Sequence, residues 1–292
     1  MGVTLQKHRA NLLLLLTAMI WGAAFVAQSE GGELVGAFTF NAVRMVIGGA
    51  VLLPCIAFLD RLNGVQHGWR RADKNLWLGG ISCGAVLFVS SALQQLGITS
   101  TTAGKAGFIT ALYVVLVPLC SLFWGKRPRA LLWLCVVLSA VGLYLLCVTE
   151  RLRLEQGDFL VLCCAFGFTG HILLINHFSP KVDGVRMSCI QFFTAGLLAA
   201  VPMALFESVS WDMLLAAAVP ILYAGVLSCG VAYTLQVVAQ RDAEPTMASL
   251  ILCLESVFAV LFGWLLLGEQ LTVRELIGCV TMFAAIVIAQ FC

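Results

Sequence analysis

The sequence predicts an all-α integral membrane protein of ten transmembrane helices, arranged as two inverted five-helix repeats. Three observations carry this. Charged residues make up 11% of the chain against 61% hydrophobic, whereas a water-facing domain carries about 25% charged residues, so most of the surface must meet lipid. The apolar residues fall into runs of the roughly 20 residues that a helix needs to cross a bilayer. Residue patterns in the first half of the chain also recur in order in the second.

The runs lie at about 11–28, 36–58, 76–97, 104–124, 130–148, 158–178, 187–206, 215–239, 246–267 and 271–291. Helices are the expected form, because the runs are too long for barrel strands and do not alternate with period two. Lys7 and Arg9 before Leu12 resemble the start of a signal peptide. The apolar run that follows is longer than such a leader and more spans come after it, so it reads as an uncleaved first span. The short turn Gly268-Glu269-Gln270 separates spans nine and ten.

Loop charge sets the orientation. With the N-terminus in the cytoplasm, the inner segments hold Lys7, Arg9, Arg61, Arg70, Arg71, Lys74, Lys126, Arg127, Arg129, Lys181, Arg186 and Arg241, and the outer loops hold Lys105, Arg151, Arg153 and Arg274. Twelve basic residues against four is a positive-inside bias, and it places both termini in the cytoplasm. The net charge of +2 and the absence of a long basic tract give no sign of nucleic-acid binding. The twelve cysteines lie largely within apolar runs and read as small packing residues. No Cys-x-x-Cys pair suggests a metal or redox site.

Leu93-Gln94 recurs as Leu235-Gln236, an offset of 142 (235 − 93), and the same offset maps Tyr113 onto Glu255. A shift of one residue maps Trp124-Gly125 onto Leu267-Gly268, and Trp21 falls opposite Phe168 at an offset of 147 (168 − 21). Five spans are an odd number, so the second copy enters the membrane from the opposite side. The expected units are 1–150 and 151–292. Inverted repeats of this kind are the architecture of many secondary transporters.

Several residues within the spans are candidates for ligand chemistry. Glu255 is a carboxylate deep inside span nine, costly there unless it meets water, a partner or a proton. It reads as a binding group for an amine, a proton-coupling group or a structural hydrogen-bond partner, and its neighbours Ala248, Ala259 and Gly263 permit a cavity or close packing. His171 in span six can accept a coupling proton or bond a neighbouring helix, and it lies six residues from His177, on a different helix face and so not as a metal pair. Gln94 and Gln236 can orient a polar ligand or tie helices together. Ser90 and Ser91 share the region of Gln94, and Cys229 and Tyr233 share the face of Gln236. Trp21 and Tyr113 can wall a site, cradle an amine or simply pack. Arg44 reads as structural, snorkelling or bonding carbonyls, with a substrate role as the other reading. Gly80 and Gly84 read as a helix-packing pair. Pro54, Pro118 and Pro202 mark kinks or helix ends.

The stretch LQQLGITSTTAGKAGFITALYVVLVP, from Leu93 to Pro118, resembles the third-to-fourth span signature of the EamA-domain branch of the drug/metabolite transporter superfamily. The stretch AYTLQVVAQRDAEPTMASLILCLESVFAVLFGWLLLGEQLTVRELIG, from Ala232 to Gly278, resembles the second EamA copy more closely, and Trp21-Gly22 and Arg44 also fit. Two departures stand out. Glu255-Ser256 replaces the family's Glu-Pro, which predicts a span nine without its usual kink, and the first half ends span four with Gly125-Lys126 where the second has Gly268-Glu269.

The resemblance implies a multi-pass protein of the bacterial cell membrane that transports a small metabolite. An amino acid or related amine or zwitterion is the expected solute and export the expected direction, with sugars, nucleotide derivatives or vitamins as other solutes of the superfamily. The expected partners are a small-molecule solute and the lipid bilayer, with a homodimer left open. No cofactor and no metal are expected. The chain carries no HExxH, P-loop or paired membrane aspartates, motifs of enzymatic rivals. A structural membrane subunit is the remaining alternative. Few basic residues lie within spans, which disfavours phosphorylated solutes. The site is expected between the halves, lined by spans one, three, four, six, eight and nine.

Overall fold

The computed structural model describes residues 2–64, 69, 73–100, 103–123, 125, 128–147, 156–267 and 272–289, and these residues are helical almost throughout. The helices are α1 (Gly2–Leu34), α2 (Ala37–Leu62), α3 (Lys74–Ile98), α4 (Ala103–Ala111), α5 (Tyr113–Phe123), α6 (Ala130–Cys147), α7 (Gln156–Phe178), α8 (Gly184–Phe206), α9 (Trp211–Ala216) and α10 (Ala218–Leu222). A π-helical stretch (Tyr223–Tyr233) leads into α11 (Thr234–Ala239), followed by α12 (Pro245–Leu252), α13 (Glu255–Leu267) and α14 (Val273–Ala289). Among the described residues, eight segments are long and apolar enough to cross a membrane, and Ala130–Leu146 forms a shorter apolar helix. Their outward faces carry exposed Leu12, Phe58, Phe123, Phe159, Leu205 and Val219, as lipid contact requires. The turn at 268–270, with Lys126, Arg127, Arg151 and Arg153, lies outside the described residues.

Helix starts follow local chemistry. Asp73 accepts from the Leu76 amide at 2.9 Å to begin α3, and Asp183 accepts from the Arg186 amide at 2.9 Å to begin α8. Each satisfies a donor that the first turn leaves open. Pro245 occupies the first turn of α12, where its missing N–H costs nothing. The first helix extends well beyond the apolar run at both ends, because helical geometry does not stop where hydropathy does.

Two crossings are broken. The chain between α4 and α5 bends at Leu112, and the chain between α12 and α13 bends at Cys253-Leu254. At the second bend, Leu254 N donates to Ile251 O at 3.2 Å and Ser256 N to Cys253 O at 3.3 Å, tight three-residue steps in place of four-residue helical ones. The expectation of an unkinked span nine is therefore corrected: the break lies before Glu255 and needs no proline. Pro54, Pro118 and Pro202 all sit inside helices rather than at their ends.

Helix pairings recur when the two halves are exchanged. α3 packs on α7, and α1 packs on the π-helical stretch and α11. α2 lies along α8, α6 along α14 and α5 against α12. Small residues allow the closest approaches. A Cβ on Gly80 would sit 2.5 Å from the Ile190 side chain, and one on Gly84 2.6 Å from the Gln191 carbonyl oxygen. This is how α3 nests against α8, and it matches the packing role read for the Gly80/Gly84 pair.

The α2–α8 pair is fastened at both ends. Near the start of α2, Glu207 accepts from the Phe38 amide at 2.9 Å, from the Thr39 amide at 2.7 Å and from the Thr39 hydroxyl at 2.6 Å. Near its end, Asp60 pairs with Arg186, which also binds Asp183 at 2.6 Å. Asp60 and Glu207 stand 147 residues apart (207 − 60), the offset that relates Trp21 to Phe168.

Candidate functional site

A cavity lies among these helices, lined by Trp21, Phe25 and Gln28 of α1, Arg44 of α2, Gln94 of α3, Thr110 of α4 and Tyr113 of α5. Phe168, His171 and Ile172 of α7, Ser228 and Tyr233 of the π-helical stretch, Gln236 of α11, Leu252 of α12 and Glu255 of α13 complete it. The structure thus brings Glu255, His171, Gln94, Gln236, Tyr113, Trp21 and Tyr233 to one place from widely separated parts of the chain.

Glu255 and Tyr113 meet at the two helix breaks. Each is the first residue of its helix, α13 and α5, and the Tyr113 hydroxyl donates to Glu255 Oε1 at 2.9 Å. Both are buried, Glu255 at 5% exposure. The breaks let these polar side chains turn into the cavity while the flanking helical turns stay apolar. One turn beyond Glu255 the surface closes: a Cβ on Gly22 would stand 2.8 Å from Ala259 N. α13 therefore packs closely on α1 at Ala259, while Glu255 opens to the cavity.

Aromatic rings form the wall opposite. The Trp21 and Tyr233 rings lie 4.5 Å apart, and His171 meets Tyr233 edge-on at 5.8 Å. Trp21 Nε1 donates to Ser228 O at 3.4 Å, which ties α1 to the π-helical stretch. His171 Nε2 lies 3.2 Å from Gln191 Oε1, so the imidazole has both a cavity face and a neighbouring-helix partner. His177 instead lies 2.8 Å from Lys181, away from the cavity.

The paired amides differ in their surroundings. Gln94 Nε2 donates to Thr110 Oγ1 at 3.3 Å, whereas buried Gln236 Oε1 has no hydrogen-bond partner among the described residues. Ser90 bonds its own helix at Val86 O, and Cys229 Sγ lies 3.7 Å from Met45 Sδ. Neither these two nor Ser91 lines the cavity.

Arg44 corrects the sequence reading. It is 3% exposed, lines the cavity, and donates through Nη1 to Gln28 Oε1 at 3.0 Å, with its guanidinium carbon 5.3 Å from the Phe40 ring centroid. It points inward and does not snorkel, so span two joins the six expected to line the site. Gln28, Thr110, Phe25 and Ser228 were also missed. An uncharged polar or aromatic residue within an apolar run carries no local sign of which helix face it occupies.

A model of the EamA-like transporter family matches the chain twice, over residues 8–148 and 155–290. A protein named "Uncharacterized transporter" from Archaeoglobus fulgidus is 32% identical over 290 residues, covering 98% of this chain and 87% of that protein. The Bacillus subtilis proteins named "Uncharacterized transporter YwfM" and "Uncharacterized transporter YoaV" are 24% and 23% identical, covering 95% and 97% of this chain and 92% and 97% of theirs. A solved structure titled only "Crystal structure of protein" superposes with a TM-score of 0.79 at 19% identity, over 97% of this chain and 96% of that one, a likeness of fold. With family matches over both halves and several apolar helices long enough to span a bilayer, the chain is a multi-pass membrane protein that belongs to the EamA-like transporter family.

Proposed function

We propose that the chain is a secondary transporter that moves a small amino acid, or a related amine or zwitterion, by alternating access. In this reading ten spans form two inverted five-helix halves, both termini face the cytoplasm, and the protein resides in the cell membrane. Export is the direction carried over from the family resemblance.

The observation that carries the proposal is the Tyr113–Glu255 contact, made by residues at corresponding places in the two halves inside one cavity. The recurrence of helix pairings on exchange of halves supports the inverted arrangement, since such halves can trade conformations around a central site. A buried carboxylate is costly when charged and unpaired. It can therefore hold a proton in one state and a substrate ammonium in the other, which couples solute movement to proton movement. The rings of Trp21 and Tyr233 offer π faces to the same cation.

The test is reconstitution of the full chain in liposomes loaded with a cell metabolite extract. Faster loss of one or a few small amines or zwitterions than from protein-free liposomes is expected. Identical metabolite profiles in the two preparations would contradict the proposal and favour a structural subunit.

A further inference from the structure

Arg44 is a buried cation with no ion-pair partner among the described residues. It lies on the cavity wall at 3% exposure. Among the described residues its one hydrogen bond goes to a neutral amide, Gln28 Oε1, and its buried Nε has no partner. A guanidinium carries five N–H donors, so most of its hydrogen-bonding capacity is open. Burying such a charge is costly unless an anion and further acceptors complete it.

The setting is built rather than incidental. Gln28, which orients the guanidinium, is itself held through its backbone carbonyl by Gln95 Nε2 at 3.1 Å, and Gln95 is fully buried. The Phe40 ring lies 5.3 Å from the guanidinium carbon and limits its movement. The corresponding position in the second half, 147 residues on (191 − 44), is Gln191, whose Oε1 faces His171 Nε2 at 3.2 Å. The cation is thus present in one half only, and a charged ligand would meet different chemistry at the two corresponding places.

We propose that Arg44, oriented by Gln28, is the subsite for a carboxylate of the transported solute. Two coplanar oxygens match the guanidinium fork. A phosphate dianion would call for more positive charge, and Arg44 is the one Lys or Arg among the described lining residues. Glu255 shares the cavity, so a solute carrying both an ammonium and a carboxylate satisfies both charges and lies in one orientation. This rests on the transport reading for its biological meaning, but the binding itself can be tested without flux.

The test uses the full chain in lipid nanodiscs, with Trp fluorescence and thermal shift as readouts, Trp21 being in the cavity. The probes are the standard amino acids, their carboxamides, their decarboxylated amines and inorganic phosphate. At least one free amino acid should bind about tenfold or more tighter than its own carboxamide, the range expected when a hydrogen-bonded charge partner is lost. That preference should vanish in Arg44→Gln and be retained in part in Arg44→Lys. Gln28→Met keeps the charge and removes the orienting acceptor, so it should weaken acid binding severalfold, and it decides the matter with the wild-type comparison if Arg44→Gln does not fold.

Three results would each overturn the subsite: acid and amide binding alike in the wild type, a preference that survives Arg44→Gln, or no amino acid binding while phosphate binds. Flux in liposomes is scored separately. Arg44-dependent acid binding without flux would leave the subsite standing and remove the transport reading. Flux of amines and amides at the same rate as acids would do the reverse.

Discussion

Tyr113 and Glu255 stand 142 residues apart, at matching places in the two halves, and the phenol of one donates a 2.9 Å hydrogen bond to the carboxylate of the other. Each begins a helix immediately after a break in its span. The contact joins α5 to α13 at the centre of the cavity, so its strength bears on both folding and ligand chemistry.

A double-mutant cycle with Tyr113→Phe and Glu255→Gln should show coupling. Interhelical hydrogen bonds in membranes are worth about 0.6 kcal/mol on average and up to about 1.7, and the unfolding free energy should reveal a term within that range. Additive single effects would mean that the bond contributes nothing to stability.

Gln236→Ala and Gln94→Ala should differ. Gln94 holds Thr110, whereas Gln236 Oε1 has no partner among the described residues. Replacing Gln94 should therefore lower thermal stability as well as solute affinity. Replacing Gln236 should weaken solute affinity with little change in melting temperature. If neither substitution changes apparent affinity in a flux assay, both amides are packing groups.

The α2–α8 fastenings should act on stability rather than on the site. Glu207→Gln removes the charge that caps α2, at a cost of about 0.5–2 kcal/mol. Asp60→Asn removes one of the two carboxylates that hold Arg186, whose side chain is 9% exposed against 20% for Asp60, while Asp183 remains, and should cost about 0.5–1.5 kcal/mol. Thermal denaturation should show both losses, with binding at the cavity unchanged once the protein is folded. A variant of normal melting temperature and reduced binding would instead link the fastening to the site.

Reporter fusions at the two ends should both report a cytoplasmic location, following the inner excess of Lys and Arg. An external C-terminus would mean an odd number of crossings and would remove the inverted arrangement.

Much of the fold is legible in the sequence because a bilayer imposes a length on every apolar run. The run at 187–206 becomes Gly184–Phe206, and the run at 158–178 becomes Gln156–Phe178. The offset of 142 residues likewise brings Gln94, Gln236, Tyr113 and Glu255 into view before any coordinates. The breaks at Leu112 and Cys253-Leu254 are not legible, because neither holds a proline or glycine and both arise from tertiary packing. The π-helical stretch from Tyr223 carries no local signal either. The inward direction of Arg44 is not legible, because hydropathy gives its depth and not the face it occupies. Its contact with Gln28, sixteen residues earlier on another helix, exists only in three dimensions.

The most direct test of the account is flux of the identified solute through the reconstituted chain under an imposed pH gradient, wild type against Glu255→Gln. The substitution keeps the shape of the side chain and removes its charge and its exchangeable acid proton. The account predicts that the gradient accelerates solute movement in the wild type, and that Glu255→Gln folds but loses this acceleration. Equal rates and equal pH dependence in the two proteins would contradict it, leave Glu255 as a structural partner of Tyr113, and turn the search for the coupling group to His171.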